Sequence, residues 1–185
     1  GFLGWFQRVA DKQVRVLNCL DVLGIPLVGI DPSMTLTYRS EYLESGLNPP
    51  NVFLIQEFLM SRQAELTLTT RLPVRRFSLL AHCTEATMAQ TTLKDWQTLF
   101  ALAGHRLDLE PVGCCGMAGT YGHETQHQQT SRVIYSQSWQ PKVEARSDVT
   151  YLATGYSCRS QVKRLSAQSL QHPISALLDA ISEPS

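Results

Sequence analysis

The sequence has no long apolar run and no excess of either charge. Its 185 residues include 16 Lys and Arg against 16 Asp and Glu, so the formal net charge is zero. Proteins that track nucleic-acid phosphates carry a basic surface, and we therefore expect no nucleic-acid partner. No apolar stretch approaches the ~20 residues that a transmembrane helix needs, and no signal peptide is visible. The sequence therefore predicts a protein without a membrane span.

Several motifs of dehydrogenases and metal proteins are missing as well. The chain contains no glycine fingerprint of a dinucleotide-binding fold and no pattern typical of a FAD domain, so we do not expect it to oxidise a substrate alone. A local Cys-x-x-Cys zinc pattern is also absent. The chain begins with Gly1 rather than Met, and we expect it to be a piece of a longer protein.

Two adjacent cysteines are the most informative feature that the sequence does contain. Cys114 and Cys115 lie in the glycine-rich run 113–119, GCCGMAG. Neighbouring side chains on a strand point to opposite faces, whereas flanking glycines let a loop fold around a bulky group. Such a loop indicates a metal, a cluster or a redox couple. Five cysteines without a secretory signal also favour a reducing compartment over a disulfide framework.

Hydrophobic periodicity predicts strands that alternate with helices. A helical pattern runs from Leu3 to Leu23 and ends at Gly24, and Cys19 is predicted to lie on its buried side. The predicted strands cover residues 25–30, 77–81, 107–112 and 149–153, and the predicted helices cover residues 87–103, 123–138 and 175–181. Residues 52–55 suit a strand, or a helix that continues to residue 66. This order predicts an α/β layered domain with a largely parallel sheet flanked by helices.

The predicted strands bring four cysteines to one place. Cys83, Cys114, Cys115 and Cys158 each follow a predicted strand. Ligands of such sheets bind beyond the carboxyl ends of the strands, so we expect these four thiols to meet at one edge. Four thiolates are the usual complement for one [4Fe–4S] cluster or one zinc ion. His82 and His123 flank the cysteines and are candidate hydrogen-bond donors or alternative ligands.

The cysteine pattern resembles a known family, the cysteine-rich CCG domain. That domain occurs in heterodisulfide reductase, in the iron–sulfur protein of glycolate oxidase and at the C-terminus of large FAD-linked oxidases. Residues 113–124 (GCCGMAGTYGHE) and 157–165 (SCRSQVKRL) look most like the last group. Its members are D-lactate or D-2-hydroxyglutarate dehydrogenase-type flavoproteins with iron–sulfur clusters.

The resemblance covers roughly residues 25–182 and implies a domain of two related halves. We expect a single domain over residues 1–185, with a leading helix at 1–24, a degenerate first half at 25–75 and a second half at 76–182 that carries the motif. The family pattern places a Cys-x-x-Cys pair after the last strand, and Gly155 stands where the first of these thiols is expected. In the first half, Thr37 stands near a position where a thiol is expected.

The resemblance implies an electron-transfer role. In that reading Cys83, Cys114, Cys115 and Cys158 ligate an iron–sulfur cluster or zinc, and FAD is bound by another part of the parent protein. The implied partners are the FAD and ferredoxin-like parts of the parent chain, with a quinone or another respiratory acceptor. We expect a cytoplasmic location, with attachment to the inner face of the membrane as an open alternative.

Two other functions remain open at this stage. The chain could be a structural interaction domain whose cysteine site holds zinc or nothing, because ligands are missing from both halves. It could also carry out thiol–disulfide chemistry at Cys114 and Cys115, although adjacent cysteines form strained disulfides. Metal analysis distinguishes the first alternative from the iron–sulfur reading, and alkylation of a reactive thiol tests the second.

Overall fold

The computed structural model describes residues 2–68, 73–145 and 148–181 of the chain. Gly1 and residues 182–185, which the predicted single domain includes, lie outside this part. The chain divides into two compact units, residues 1–63 and residues 64–185. The units divide after residue 63, whereas the two halves expected from the sequence meet after residue 75. Helices and parallel strands alternate within each unit, which confirms the predicted α/β class.

The first unit opens with the predicted amphipathic helix, α1 (Leu3–Val22). Gly24 follows with φ +72°, a left-handed conformation that glycine adopts cheaply and that commonly ends a helix. Ala10 and Val14 are buried and pack with Tyr42 in a small cluster. In the part of the chain that the structure describes, no helix is both long enough and apolar enough to cross a membrane.

The prediction that Cys19 is a buried core residue was wrong, because its side chain is exposed. Helix α1 carries apolar residues on two sides. One side packs on the unit through Phe6, Ala10 and Val14, whereas Val16 on the other side is 60% exposed. A helical period shows that apolar residues form stripes, but it does not show which stripe faces the core.

A small parallel sheet forms the centre of the first unit. Its elements are β1 (Leu27–Gly29), α2 (Pro32–Arg39), α3 (Glu41–Glu44), β2 (Val52–Leu54) and α4 (Ile55–Ser61). Leu27 pairs with Val52, so the strand alternative for residues 52–55 is the one that forms. Asp31 caps α2 by accepting the backbone N–H of Ser33 at 3.0 Å, and Pro32 occupies the first helical position.

The second unit contains the four cysteines of the predicted site. A 3₁₀ turn, Gln63–Glu65, stands at the boundary. The strands and helices that follow are β3 (Arg76–Leu80), α5 (Cys83–Met88), α6 (Leu93–Leu102), β4 (Arg106–Glu110), α7 (Gln128–Ser138), α8 (Gln140–Val143), β5 (Thr150–Ala153), α9 (Tyr156–Ser166) and α10 (Pro173–Ile181). Three 3₁₀ turns also occur, at Gln90–Thr92, Tyr121–His123 and Thr125–His127.

The strands of the second unit form a parallel sheet in the order β4-β3-β5. Phe77 pairs with Leu107 on one side and with Thr150 on the other. The last four residues of β3 are all buried, as expected for a central parallel strand covered on both faces. Trp96 and Phe100 of α6 are fully buried, so their stripe provides one of the covering surfaces.

The continuous helix predicted over residues 87–103 was wrong. Helix α5 ends at Met88, a 3₁₀ turn covers Gln90–Thr92, and α6 begins at Leu93. Ala89 adopts φ −136° and ψ 36°, which is outside the helical region. Met88 is 49% exposed instead of extending the buried stripe. The apolar period of α6 is therefore real, but it starts five residues later than Met88.

The helix predicted over residues 123–138 also begins later, at Gln128. Residues before it form 3₁₀ turns, because their backbone bonds to the preceding loop instead of continuing a helix. The N–H of Gly122 donates to the carbonyl of Met117 at 3.0 Å. A β carbon on Gly122 would lie 2.6 Å from the Ser131 hydroxyl. This close approach requires glycine and folds the turn back onto α7.

Candidate cysteine site

The four predicted site cysteines lie beyond the carboxyl ends of the strands, as the sequence predicts. Cys83 opens α5 directly after β3, and Cys158 lies in the first turn of α9 after β5. Cys114 and Cys115 lie on the loop that follows β4. Because the three strands are parallel, their carboxyl ends share one edge of the sheet. Tertiary structure therefore brings together thiols that are far apart in sequence.

The direction of the strand connections reverses at this edge. The chain leaves the central strand β3 towards β4, and it then crosses β3 to reach β5 on the other side. Connections that leave neighbouring strands in opposite directions open a ligand crevice between their ends. Cys83 follows β3 and Cys158 follows β5, so the site lies at this point of reversal.

The thiols of these cysteines contact one another. Cys114 lies close enough to Cys83 and Cys115 for the thiols to shift one another's pKa, and Cys158 likewise acts on the pKa of Cys115. Cys115 and Cys158 are buried, and Cys83 and Cys114 are half-buried. All five cysteines of the chain lie in its described part, and all are free thiols. The site is therefore a chain of four thiols with one end open to solvent.

Neighbouring thiols lower the pKa of the Cys114 thiol. Bonds from Cys115 and then from Cys83 lower the pKa of the Cys114 thiol. The N–H of Gly116 also donates to the Cys114 sulfur at 3.3 Å. Bonding to Cys114 is the largest cause of the raised pKa of both Cys83 and Cys115, and burial raises both further. Donors thus converge on the Cys114 sulfur, which favours the thiolate there.

The loop that carries Cys114 and Cys115 is fastened to helix α7. The N–H of Gly113 donates to the Ser138 hydroxyl at 2.6 Å. The Trp139 indole N–H donates back to the Gly113 carbonyl at 2.9 Å. Gly116 adopts φ +88° and packs on the backbone of Ser131. Glycine is needed here both for the left-handed conformation and for the close approach.

A buried polar network joins the same loop region to helix α9. Gln161 donates to the Ser131 hydroxyl at 2.8 Å and accepts from Arg164 at 2.6 Å. Arg164 also donates to the Gly122 carbonyl at 2.7 Å. Ser131 and Gln161 are fully buried. Because buried polar groups cost free energy unless paired, this network helps to hold α7 and α9 in one arrangement.

A second network links the strand ends that carry Cys83 and Cys158. The backbone N–H of His82 donates to the Thr154 hydroxyl at 3.0 Å, and that hydroxyl donates to the Glu85 carboxylate at 2.5 Å. Arg159 donates to the carbonyls of Ala153 and Thr154 at 2.9 and 2.7 Å. Glu85 is fully buried. Sequence reasoning missed Glu85 and Thr154, because no local pattern distinguishes them from surface residues.

The two candidate histidines differ in position. His82 is buried beside Cys83, and its Nδ1 accepts the backbone N–H of Thr84 at 3.2 Å. His123 is exposed and ends a 3₁₀ turn. His82 is therefore the histidine that belongs to the cysteine site.

The donor set suits a thiolate-bound cofactor in its chemistry. Soft sulfur donors select iron–sulfur clusters and zinc. The described arrangement is nevertheless not that of a bound metal. Across residues 2–68, 73–145 and 148–181, no group of three or more His, Cys, Asp or Glu side chains forms the coordination shell of a single metal ion. The four thiols provide ligands of the right kind, and binding would require them to rearrange into such a shell.

Comparison with known proteins gives the class of relatives. The chain is similar to part of several D-2-hydroxyglutarate dehydrogenases. It is 46% identical over 182 residues to that of Pseudomonas putida, covering 96% of this chain and 17% of that protein. It is 42% identical to that of Haemophilus influenzae, covering 98% of this chain and 19% of that protein. The chain thus spans less than a fifth of the length of these relatives.

A more distant relative has a different name. The chain is 25% identical to one subunit of the anaerobic glycerol-3-phosphate dehydrogenase of Escherichia coli, over 98% of this chain and 47% of that protein. No family model and no solved structure matches the chain. The relatives include the class of dehydrogenase that the cysteine motifs indicate. The similarity extends over nearly the whole chain in both kinds of relative.

Proposed function

We propose that this chain is the iron–sulfur electron-transfer part of a FAD-linked 2-hydroxy acid dehydrogenase. Cys83, Cys114, Cys115 and Cys158 would ligate a [4Fe–4S] cluster. The observation that carries this proposal is the convergence of four thiols from three strand ends into one contiguous chain. Thiolates are the usual protein ligands of such clusters, which supply one-electron transfer when bound.

The relatives support a shared electron-transfer step rather than a substrate site. The D-2-hydroxyglutarate dehydrogenases and the anaerobic glycerol-3-phosphate dehydrogenase have different substrates in their names, yet each kind matches at least 96% of this chain. A region common to dehydrogenases of different substrates suits a step that both need. FAD and substrate would be bound elsewhere in the parent protein, which would pass electrons through this part to a quinone or another respiratory acceptor.

The residues around the thiols suit that role. Cys115, Cys158 and Met117 are buried, so the inner part of the site excludes water. The N–H of Gly116 donates to the Cys114 sulfur. Hydrogen bonds to sulfur and restricted solvent access are the means by which proteins tune the potential of iron–sulfur centres. The chain's own contribution is thus to position the four sulfurs and to set their surroundings.

Anaerobic reconstitution tests the proposal. The 185-residue chain treated with iron and sulfide should gain a broad absorbance near ~400 nm, typical of thiolate-ligated iron–sulfur centres. Iron and sulfide should be present in comparable amounts. Cys115→Ser should abolish the absorbance. Cys19→Ser is the matched control, because Cys19 is an exposed thiol of the first unit, and it should leave the absorbance unchanged.

Other outcomes would contradict the proposal. Zinc without iron in anaerobically prepared protein would favour a structural site. A folded chain that binds neither metal would favour an interaction domain with an empty cysteine site. Equal loss of absorbance in Cys19→Ser and Cys115→Ser would show that iron binds nonspecifically to thiols.

A further inference from the structure

The backbone conformation of Gly155 does not require a glycine. Gly155 caps α9 with φ −74° and ψ 132°, an extended conformation that any residue adopts. A β carbon at this position would lie 2.4 Å from the Cδ2 atom of His82 and 3.0 Å from the Cys158 sulfur. The position therefore excludes a side chain because of space and not because of its backbone.

The ring of His82 occupies the space that a side chain on residue 155 would take. His82 is 7% exposed and comes from the end of β3, whereas Gly155 comes from the end of β5. The imidazole edge and the Cys158 sulfur both lie within 3.0 Å of the same point. The site thus has an imidazole at the place where the cysteine pattern lacks a thiol.

One hydrogen bond determines which ring nitrogen carries the proton. The backbone N–H of Thr84 donates to His82 Nδ1 at 3.2 Å, so Nδ1 offers its lone pair and the proton of the neutral ring lies on Nε2. Nε2 is bonded to Cδ2, the ring atom nearest to the Gly155 position. The N–H edge of the ring therefore lies on the side of Gly155 and Cys158. A metal bound at Nε2 would need the lone pair of that nitrogen, so the proton would have to leave Nε2. If the proton moved to Nδ1, that atom could no longer accept the Thr84 N–H.

We propose that His82 serves the cysteine site as a hydrogen-bond donor, directing its Nε2–H to the Cys158 sulfur or to a cluster sulfur beside it, and that it is not a ligand. This inference rests on the proposed iron–sulfur function. A donor to sulfur stabilises the reduced, more negative state of a cluster and raises its reduction potential. His82 is in this sense a positioning and tuning residue, and the absence of a side chain at Gly155 makes room for it.

The packing part of the proposal is tested without metal. Gly155→Ala should lower the unfolding temperature of the chain, because the new methyl group collides with the imidazole. His82→Ala removes that ring. Introducing Gly155→Ala into the His82→Ala variant should therefore lower the unfolding temperature much less than introducing it into the wild type. Such non-additivity is the signature of two residues in direct contact. Additive effects of the two substitutions would overturn the placement of His82.

The chain offers a matched control for the donor role. His172 precedes helix α10 as His82 precedes α5, and its Nδ1 likewise accepts a backbone N–H, that of Ile174, at 3.2 Å. Its ring packs edge-on against Trp96. Asn is a good helix cap, so His82→Asn and His172→Asn should each retain the capping acceptor. They differ in that His82→Asn withdraws the imidazole from the cysteine site.

Iron content and reduction potential of the reconstituted chain then separate the roles. His82→Asn should keep the wild-type iron per chain and show a more negative midpoint potential, and His172→Asn should change neither. Loss of iron in His82→Asn would make His82 a ligand and overturn the inference, although the iron–sulfur function would stand. An unchanged potential would overturn it as well. Failure of the wild type to hold iron would instead overturn the proposed function. The unfolding temperatures of Gly155→Ala, His82→Ala and the double variant would still decide whether the His82 ring fills the space beside Gly155.

Discussion

Gly116 packs directly against the backbone carbonyl of Ser131. A β carbon on residue 116 would lie 2.3 Å from that oxygen, and Gly116 also adopts φ +88°. The glycine therefore lets the cysteine loop run against helix α7 without an intervening side chain. This contact fixes the depth at which the adjacent Cys115 is buried.

Substitution of Gly116 should be far more costly than that of a nearby glycine. Gly116→Ala combines a left-handed conformation with a collision against rigid backbone, and we expect a loss of at least ~2 kcal/mol in the free energy of unfolding. Gly119→Ala is the control. Gly119 has φ +69° but nothing within 4 Å of a β carbon, so it should lose only about 1 kcal/mol. Urea unfolding measures both, and equal losses would contradict the packing argument.

Removal of the Thr154 hydroxyl should loosen the strand ends that carry Cys83 and Cys158. Thr154→Val keeps the shape of the side chain but removes the group that accepts from the His82 N–H and donates to Glu85. Loss of a bond to a buried carboxylate costs about 1.5–3 kcal/mol. Thr150→Val lies at the exposed first position of β5, the strand that Thr154 follows, and should be near neutral. Chemical denaturation of both variants checks this prediction, and a neutral Thr154→Val would show that the network is dispensable.

Arg39 should not be replaceable by lysine in the first unit. Its guanidinium donates to both oxygens of Glu57 and to the Val52 carbonyl. Lysine cannot reproduce this planar fork, so Arg39→Lys should lose about 1–2 kcal/mol. Arg15→Lys provides the comparison, because Arg15 is 77% exposed and pairs with Asp11 on the surface of α1. A change in the unfolding midpoint for Arg39→Lys no larger than for Arg15→Lys would contradict the prediction.

Tyr135 should make the stability of the chain fall at alkaline pH. Burial is the largest cause that raises the pKa of Tyr135 above its usual value of 10.0. The folded state then favours the neutral phenol, so the stabilisation is complete below about pH 10 and is lost as the pH rises above it. The stability difference between wild type and Tyr135→Phe should therefore shrink above pH 10.

The control for this prediction is Tyr156→Phe, because Tyr156 is 70% exposed. The titration of Tyr156→Phe provides the reference against which the change for Tyr135→Phe is judged. Denaturant titrations at several pH values between 8 and 11 measure both variants. A constant difference for Tyr135→Phe would show that the phenol titrates alike in the folded and unfolded chains.

Strand positions and the cysteine convergence were predictable from the sequence because they depend on local patterns. The largely apolar run that ends β3, which is buried over its last four residues, is typical of a central parallel strand. Cys83 and Cys158 follow β3 and β5, and parallel strands place their carboxyl ends at one edge. These inferences required only chain order and strand type, and no knowledge of side-chain packing.

Predictions that depended on which side of an element faces inward were less successful. Cys19 lies on an apolar stripe of α1 but is exposed, since another stripe of the same helix packs on the unit. Met88 continues the helical period of α6 but belongs to a separate helix. For Cys19, a correct helical period was assigned to the wrong face of the helix. For Met88, a correct period was extended past the residue at which one helix ends and the next has not begun.

The sequence by itself determined the alternation of strands and helices, the position of four thiols after three strands, and the glycine-rich loop that carries two of them. Tertiary structure alone decided how the site is built. It placed the His82 ring in the space beside Gly155 and brought the Glu85 carboxylate to the Thr154 hydroxyl, from which it accepts a hydrogen bond. Contacts of this kind join residues about seventy positions apart, and they depend on shape and burial that no local pattern in the chain records.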